Sequence, residues 1–222
     1  MGGRGANSGL QDGPTPGSSG NGEKQYGQPN TPQMRPPAPT IRGQIGDKGE
    51  PQGPLEAMKR VNPDIKAVDA MTYEDYTANC QRCVIAYELN RRGYNVEAEA
   101  TASNDTYPYL GRWMKAFKGA RSERVGASTT AKVNENITEK MSKWGNGSRG
   151  IVQITGRNGG HVFNVEYRNG SLHYYDAQHN VRYDPARVFD HCTRSEVKIV
   201  RVDNLPISKN VQDLVRKSRK SR

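Results

Sequence analysis

The sequence has few of the features that would place it in a membrane or among disulfide-stapled proteins. Its 222 residues are 33% hydrophobic and contain no apolar run of the roughly 20 residues that a bilayer-spanning helix needs. This excludes a transmembrane protein. The amino terminus also lacks the apolar core of about 7–15 residues of a secretory signal, so export by that route is not expected.

Cysteine is scarce as well. The three present are Cys80, Cys83 and Cys192, an odd number and too few for a disulfide scaffold. They favour a reducing compartment or thiol chemistry, and we expect the protein to be cytoplasmic in the cell that produces it.

Composition divides the chain into three parts. Residues 1–56 hold 13 of the 24 glycines and 9 of the 13 prolines, with Tyr26 as the only aromatic residue, which predicts a disordered tail. Residues 208–222 carry six basic groups and one acidic group, half of the net charge of +10, and are predicted to be a solvated basic tail. No aromatic residue is interleaved there to stack on bases, so nucleic-acid binding is not expected. Residues 57–207 have the size of one domain.

Two helices are predicted in this domain. Asn79 is a good N-cap for a helix from about Cys80 to Arg92, and Gly93 suits the position after its end. Apolar residues recur at helical spacing from Ala131 to Trp144, which predicts the second helix.

Strands follow the second helix. The β-rich segments are 151–155, 161–167, 171–176 and 197–202, and Asn169-Gly170 is the preferred pair for a two-residue hairpin turn. A helix followed by an antiparallel sheet predicts an α+β fold.

The hairpin turn fixes the register of its two strands. If Asn169-Gly170 is the loop, paired residue numbers sum to 339, and His161 becomes a diagonal neighbour of Asp176 on one face. The imidazole can then donate a hydrogen bond to the carboxylate and use its other nitrogen as a base.

An imidazole oriented in this way needs a nucleophile, and Cys80 is the candidate. In the first turn of a capped helix, the dipole and the unpaired N–H groups favour a thiolate and can stabilise an oxyanion. Cys83 lies one turn further in, where a thiol usually behaves as a small hydrophobic group. Cysteine, histidine and aspartate also occur in the chain order of papain-like enzymes.

Three blocks carry a family resemblance: 79–98 with its Cys-x-x-Cys, 160–167 beginning Gly-His, and 174–178 with Tyr-Tyr-Asp-Ala-Gln. Together they resemble the papain-fold toxin family of glutamine deamidase-like domains, found in bacterial polymorphic toxins and in phage or prophage minor head proteins. The resemblance covers roughly residues 65–205. It implies a papain-like cysteine hydrolase fold, with the catalytic helix packed on an antiparallel sheet.

The resemblance also implies site residues. His161 falls on the family's base, Asp176 on its orienting acid, and the Cys-x-x-Cys block on its nucleophile. The papain pattern would select Cys83, whereas the bacteriocin-leader peptidase pattern, with a glycine thirteen residues after the nucleophile, selects Cys80 because Gly93 fits it. Asn79 or Gln178 is a candidate for oxyanion support.

The expected activity is cysteine-dependent hydrolysis of a glutamine carboxamide in a target protein, without a metal or organic cofactor. Such a toxin or effector would be delivered into a target cell or carried on a phage particle, and an immunity protein would be a further partner. The alternatives are a papain-like peptidase and a non-catalytic protein of the phage particle.

Two other uses of the thiols remain open. Cys80, Cys83, His191 and Cys192 are residue types that bind zinc, although adjacent ligands such as His191-Cys192 rarely reach one ion. A thioredoxin-like Cys-x-x-Cys pair would require a βαβ context, which the sequence pattern does not indicate.

Overall fold

A computed structural model describes residues 43, 45–66, 76–101, 111–156 and 159–219 of the chain. The disorder predicted for residues 1–42 therefore lies outside the described residues. Among the described helices, none has the length and apolar character needed to cross a bilayer. The α-helices are α1 (Pro54–Val61), α2 (Cys80–Arg91) and α3 (Thr130–Trp144). Short 3-10 helices span Pro63–Lys66, Arg112–Ala116, Arg194–Glu196 and Lys209–Asp213.

The described strands form two antiparallel sheets. A six-stranded sheet has the order β2-β7-β3-β4-β5-β6, and β1 pairs with β8 in a separate two-stranded sheet. The strands are β1 (Val96–Ala98), β2 (Glu123–Arg124), β3 (Arg149–Gly156), β4 (Gly159–Arg168), β5 (Ser171–Asp176), β6 (Val181–Tyr183), β7 (Lys198–Arg201) and β8 (Val215–Lys217). This mixture of helices and antiparallel sheet confirms the predicted α+β class.

Helices cover both faces of the larger sheet because its strands alternate two sets of apolar side chains. Phe163 and Tyr174 belong to the cluster that includes Val133, Ile137 and Met141 of α3. The side chains of the opposite face, among them Val162 and Tyr175, join the cluster around α2. The sheet thus separates two cores, and α2 lies on one of its faces.

Helix α2 is buried on nearly all sides, with nine of its twelve residues buried. Tyr87 stacks on Tyr175 of β5 with the ring centroids 5.6 Å apart. The helix ends as predicted: Gly93 has a φ of +99°, and a Cβ there would lie 2.1 Å from the Gly49 carbonyl oxygen. Only glycine fits a left-handed position so close to another backbone segment.

Two buried carboxylates anchor the carboxyl end of α2. Glu88 accepts hydrogen bonds from Arg92 and from Arg149 of β3, each at 2.7 Å, and is fully buried. Glu166 of β4 accepts from Arg91 at 2.6 Å and from the Tyr87 hydroxyl at 2.7 Å. These pairs fix the rotation of the helix relative to the sheet.

The hairpin register agrees with the prediction over most of its length. Asn169 and Gly170 both have positive φ, 50° and 81°, and β4 pairs with β5 from Arg168↔Ser171 to Asn164↔Tyr175. Asp176 instead pairs with Val181 of β6. The β4–β5 ladder therefore ends one pair before the predicted Phe163↔Asp176.

The core extends past both predicted boundaries of the domain, 57 and 207. Before residue 57, Ile45 is buried in the core around α2, and α1 begins at Pro54. After residue 207, β8 pairs with β1, and Arg216 lies opposite Glu97, whose carboxylate it contacts at 3.3 Å. The part of the predicted basic tail up to Lys217 is thus folded, because its apolar residues Val211, Leu214 and Val215 enter the core.

Candidate active site

His161 and Asp176 meet at the end of the hairpin, as the register predicts. His161 Nε2 lies 3.0 Å from Asp176 Oδ2, and the aspartate is 1% exposed. The two residues come from β4 and β5, so the sheet fixes the distance between them. The histidine side chain keeps 21% exposure, which leaves the ring accessible from solvent.

Cys80 is the first residue of α2, and its thiol lies close enough to the His161 ring to raise the pKa of that imidazole. The helix thus brings a thiol to the imidazole that Asp176 orients. Cys80 is partly buried, and it packs against the core at the rim of the site.

Cys83 occupies a different environment one turn further along α2. It is 1% exposed, and its Sγ donates to Asn79 Oδ1 at 3.2 Å. Burial, together with the charges of Cys80 and Asp176, raises the pKa of the Cys83 thiol well above its usual value. A neutral, enclosed thiol is a poor nucleophile.

The pKa of His161 is raised despite its burial. Desolvation lowers it, but hydrogen bonds to Asp176 and Cys80 outweigh desolvation and bring the pKa to about 10. Conversely, burial raises the pKa of Asp176, but its bonds to His161 and His179 hold it well below its usual range. A charged imidazole between a carboxylate and a thiol is thereby stabilised.

Asp176 also contacts two residues, His179 and Tyr183, that the sequence pattern did not place in the site. His179 Nδ1 lies 2.8 Å from Asp176 Oδ2, and the Tyr183 hydroxyl donates to the same oxygen. Asp176 Oδ1 accepts from the backbone N–H groups of Gln178 and His179. The signal available in the sequence is the aspartate followed by a short turn, because aspartate often bonds N–H groups two and three residues ahead.

Asn79 and Gln178 lie beside the site, but their side chains belong to the framework. Asn79 is the N-cap residue without a side-chain capping bond. Its amide instead donates to Asn62 Oδ1 and to the Glu99 carbonyl, each at 3.3 Å. Gln178 is 2% exposed, and its amide donates to the Thr77 carbonyl. Oxyanion support by either residue therefore stays a prediction, and it would require the amide of Asn79 or Gln178 to leave its present partners.

Backbone N–H groups at the start of α2 are the remaining donors near the thiol. The N–H groups of Arg82 and Cys83 bond to the Asn79 carbonyl at 2.9 and 3.1 Å. Those of Cys80 and Gln81 precede them in the first turn, where an α-helix supplies no acceptor of its own. In an α-helix such N–H groups point toward the amino end, which is the end that Cys80 occupies.

A cavity of about 660 Å³ adjoins His161. Its lining is rich in glycine and polar groups: Ile154, Gly156, Gly159, Gly160, His161, Asp190, His191, Cys192 and Thr193. The glycines keep the floor free of side chains, so a peptide segment can approach the imidazole closely.

The structure does not assemble the zinc set that the sequence suggested. Within the described ranges, the group of potential ligand atoms that comes together is His161, Asp176 and His179, whereas His191 and Cys192 line the cavity. All three cysteines are free, and the pairings among the described strands are antiparallel, so a βαβ redox context is not found there.

Residues 78–180 match the family model described as papain fold toxin 1, glutamine deamidase. The match confirms the resemblance to papain-fold toxin domains and, with the observed architecture, the papain-like fold class. Cys80, His161 and Asp176 all lie inside the matched range. No curated protein and no solved structure matches the chain at a significant level.

Proposed function

We propose that this chain, which carries a papain-fold toxin domain, is a cysteine amidohydrolase that deamidates glutamine side chains of a target protein. In this proposal Cys80 is the nucleophile, His161 the acid and base, and Asp176 the orienting carboxylate. The observation that carries it is one imidazole that lies 3.0 Å from a buried carboxylate and whose pKa is raised by the nearby thiol at the amino terminus of α2. The description of the matched family supports glutamine as the substrate residue.

In the first half of the reaction, the Cys80 thiolate attacks the carbon of the glutamine carboxamide. The carbonyl oxygen becomes an oxyanion, and the N–H groups of Cys80 and Gln81 are positioned to donate to it. The protonated His161 then gives its proton to the nitrogen as the C–N bond breaks. Ammonia leaves, and a thioester to Cys80 remains.

In the second half, water hydrolyses the thioester. The imidazole that has given its proton to ammonia is neutral, and Asp176 continues to orient it, so it can accept a proton from water. Attack of the hydroxide forms glutamate, and the proton returns to the departing Cys80 sulfur.

The choice of Cys80 over Cys83 rests on access and charge. Cys80 is partly exposed and near enough to His161 to raise the pKa of this histidine, whereas the Cys83 thiol is 1% exposed and donates to Asn79. The spacing of thirteen residues from Cys80 to the left-handed Gly93 supports the same choice.

The cavity beside His161 supports a macromolecular substrate. The cavity has a volume of about 660 Å³ and is lined by His161 and three glycines, so it can accommodate a peptide segment beside the catalytic imidazole. A toxin of this kind acts after delivery into a target cell or from a phage particle, and an immunity protein that covers the cavity would protect the producing cell.

The experiment separates deamidation from peptide cleavage. Wild type and Cys80→Ser, Cys83→Ser, His161→Ala and His173→Ala variants are incubated with a blocked Gln-Gly dipeptide and with casein. Released ammonia and the masses of the products are then measured. We expect ammonia without cleavage from wild type, Cys83→Ser and His173→Ala, and none from Cys80→Ser or His161→Ala.

His173 is the matched control for His161, because it lies on β5 opposite Glu166 and outside the site. Peptide fragments that depend on Cys80 would identify a peptidase instead. Equal product from wild type and Cys80→Ser would contradict the proposed nucleophile, and no product of either kind would favour the particle-associated role.

A further inference from the structure

One carboxylate oxygen of Asp176 lies within hydrogen-bonding distance of two imidazoles, whereas the proposed triad requires only one. Its Oδ2 lies 3.0 Å from His161 Nε2 and 2.8 Å from His179 Nδ1. These three atoms all lie within 4.8 Å of one another. Orienting a catalytic imidazole requires only one such bond, so the position of His179 calls for a separate explanation.

We propose that His161, Asp176 and His179 form a binding site for Zn²⁺, and that zinc bound there inhibits the enzyme. The inhibition rests on the proposed hydrolase function, whereas the binding of zinc does not. Two imidazole nitrogens and one carboxylate oxygen are a donor set that zinc favours, with a fourth position open to water.

The distances suit an ion of this size. Zinc binds imidazole nitrogen and carboxylate oxygen at about 2.0–2.2 Å, so tetrahedral ligand atoms lie roughly 3.3 Å apart. The separations of Asp176 Oδ2 from the two imidazole nitrogens, 3.0 and 2.8 Å, need a small widening to admit the ion, and the Tyr183 hydroxyl that donates to the same oxygen must turn away.

Backbone N–H groups hold the Asp176 carboxylate in place, as hydrogen bonds usually do for carboxylates that bind metals. Asp176 Oδ1 accepts from the N–H groups of Gln178 at 3.0 Å and His179 at 3.3 Å, which fixes the orientation of the group. The His179 side chain is 48% exposed and that of His161 is 21% exposed. An ion can therefore enter from the solvent side without unfolding the hairpin.

Bound zinc would block the reaction at its first step. An imidazole that ligates a metal through Nε2 is neutral and has no proton on that nitrogen. The hydrogen bond from His161 to Asp176 is then lost, and the ring is no longer the charged imidazolium that protonates the departing ammonia in the proposed reaction. The same ion would also restrict the approach of substrate to Cys80.

Direct binding is the first test. Wild type and His179→Ala, His179→Gln, His173→Ala and Cys80→Ser variants are titrated with ZnCl₂ in competition with a chromogenic chelator. Circular dichroism verifies that each is folded. We expect one zinc per chain for wild type, His173→Ala and Cys80→Ser, and affinity reduced at least about tenfold for both His179 variants.

Protection of the thiol is the second test. ZnCl₂ should slow iodoacetamide labelling of Cys80 in wild type, EDTA should restore it, and MgCl₂ should have no effect because magnesium prefers an all-oxygen site. His179→Ala should label at the same rate with and without zinc.

Each outcome distinguishes this inference from the proposed function. Equal zinc affinity of wild type and both His179 variants overturns the site, and so does loss of zinc in Cys80→Ser, which would indicate a thiolate site instead. Zinc binding that depends on His179, without any Cys80-dependent hydrolysis, would retain the site and remove the enzyme. Cys80-dependent hydrolysis without zinc binding would retain the proposed enzyme and reject the zinc site.

Discussion

The two ends of α2 differ in what surrounds their polar groups. At the carboxyl end, Glu88 and Glu166 are enclosed, and each is neutralised by two or more donors that hold the helix against the sheet. At the amino end, Cys80 and His161 remain partly accessible, whereas Asp176 is enclosed.

One end of α2 therefore fixes the helix in the fold, and the other end holds the proposed catalytic residues. Buried ion pairs at one end cost desolvation energy that their mutual attraction offsets only in good geometry, but they define one orientation. A nucleophile must meet its base within hydrogen-bonding distance, and an error of one ångström is costly. The ion pairs at the carboxyl end therefore fix the position of α2, and this position places Cys80 at the amino end near His161.

The largest effect is expected from removing the nucleophile. Cys80→Ser should lower hydrolysis of a glutamine substrate at least about 10³-fold while leaving the unfolding midpoint nearly unchanged, because the thiol lies at the rim of the core. Ammonia release and thermal unfolding measure the two quantities. A comparable loss of activity in folded Cys83→Ser would move the nucleophile to that residue.

Removing a charge from the other end should affect stability first. Glu88→Gln leaves Arg92 and Arg149 without their buried counter-ion, so we expect a loss of about 3 kcal/mol in the free energy of unfolding. Urea denaturation measures it. The control is Glu135→Gln, which breaks an exposed pair with Lys132 and should cost less than about 0.5 kcal/mol. Equal effects of the two would contradict the anchoring role.

A smaller effect is expected from the hydroxyl that joins α2 to β4. Tyr87→Phe removes the 2.7 Å bond to Glu166 but keeps the stacking on Tyr175 and the bond from Arg91. The expected loss is about 1 kcal/mol by urea denaturation. A loss as large as that of Glu88→Gln would mean that the hydroxyl, rather than the arginines, neutralises Glu166.

A further effect is the pH dependence of stability that the site itself contributes. The pKa of His161 rises from 6.5 to about 10 on folding, so its contribution is complete below about pH 6.5 and disappears as the pH rises toward 10. The pKa of Asp176 falls on folding, so its contribution is present above about pH 3.8 and is lost below it. The stability difference between wild type and His161→Gln should therefore shrink from pH 6.5 to 10. A constant difference would contradict the pairing.

The hairpin and both long helices could be predicted from local sequence. Asn169-Gly170 fixed the turn and hence the diagonal contact of His161 with Asp176, while Gly93 marked the end of α2. These features depend on neighbours in the chain, so periodicity and turn preference reveal them.

Long-range packing accounts for what the sequence did not reveal. The pairing of β8 with β1 joins residues about 120 positions apart, and the basic composition of 208–222 concealed its apolar residues. Asn79 was expected to cap α2, but its side-chain oxygen accepts from the Cys83 thiol and the Asn62 amide instead. Such choices between competing partners depend on tertiary contacts that no local pattern encodes.

The central claim is that His161 activates Cys80, and the direct measurement is the rate of iodoacetamide labelling of each cysteine from pH 5 to 9. Peptide mass spectrometry follows wild type, His161→Ala and the control His173→Ala. We predict rapid labelling of Cys80 near neutral pH, slowed in His161→Ala alone, with Cys83 slow throughout. If Cys80 labels at the same rate in all three proteins, the thiol is not activated by the imidazole, and the proposed hydrolase is wrong.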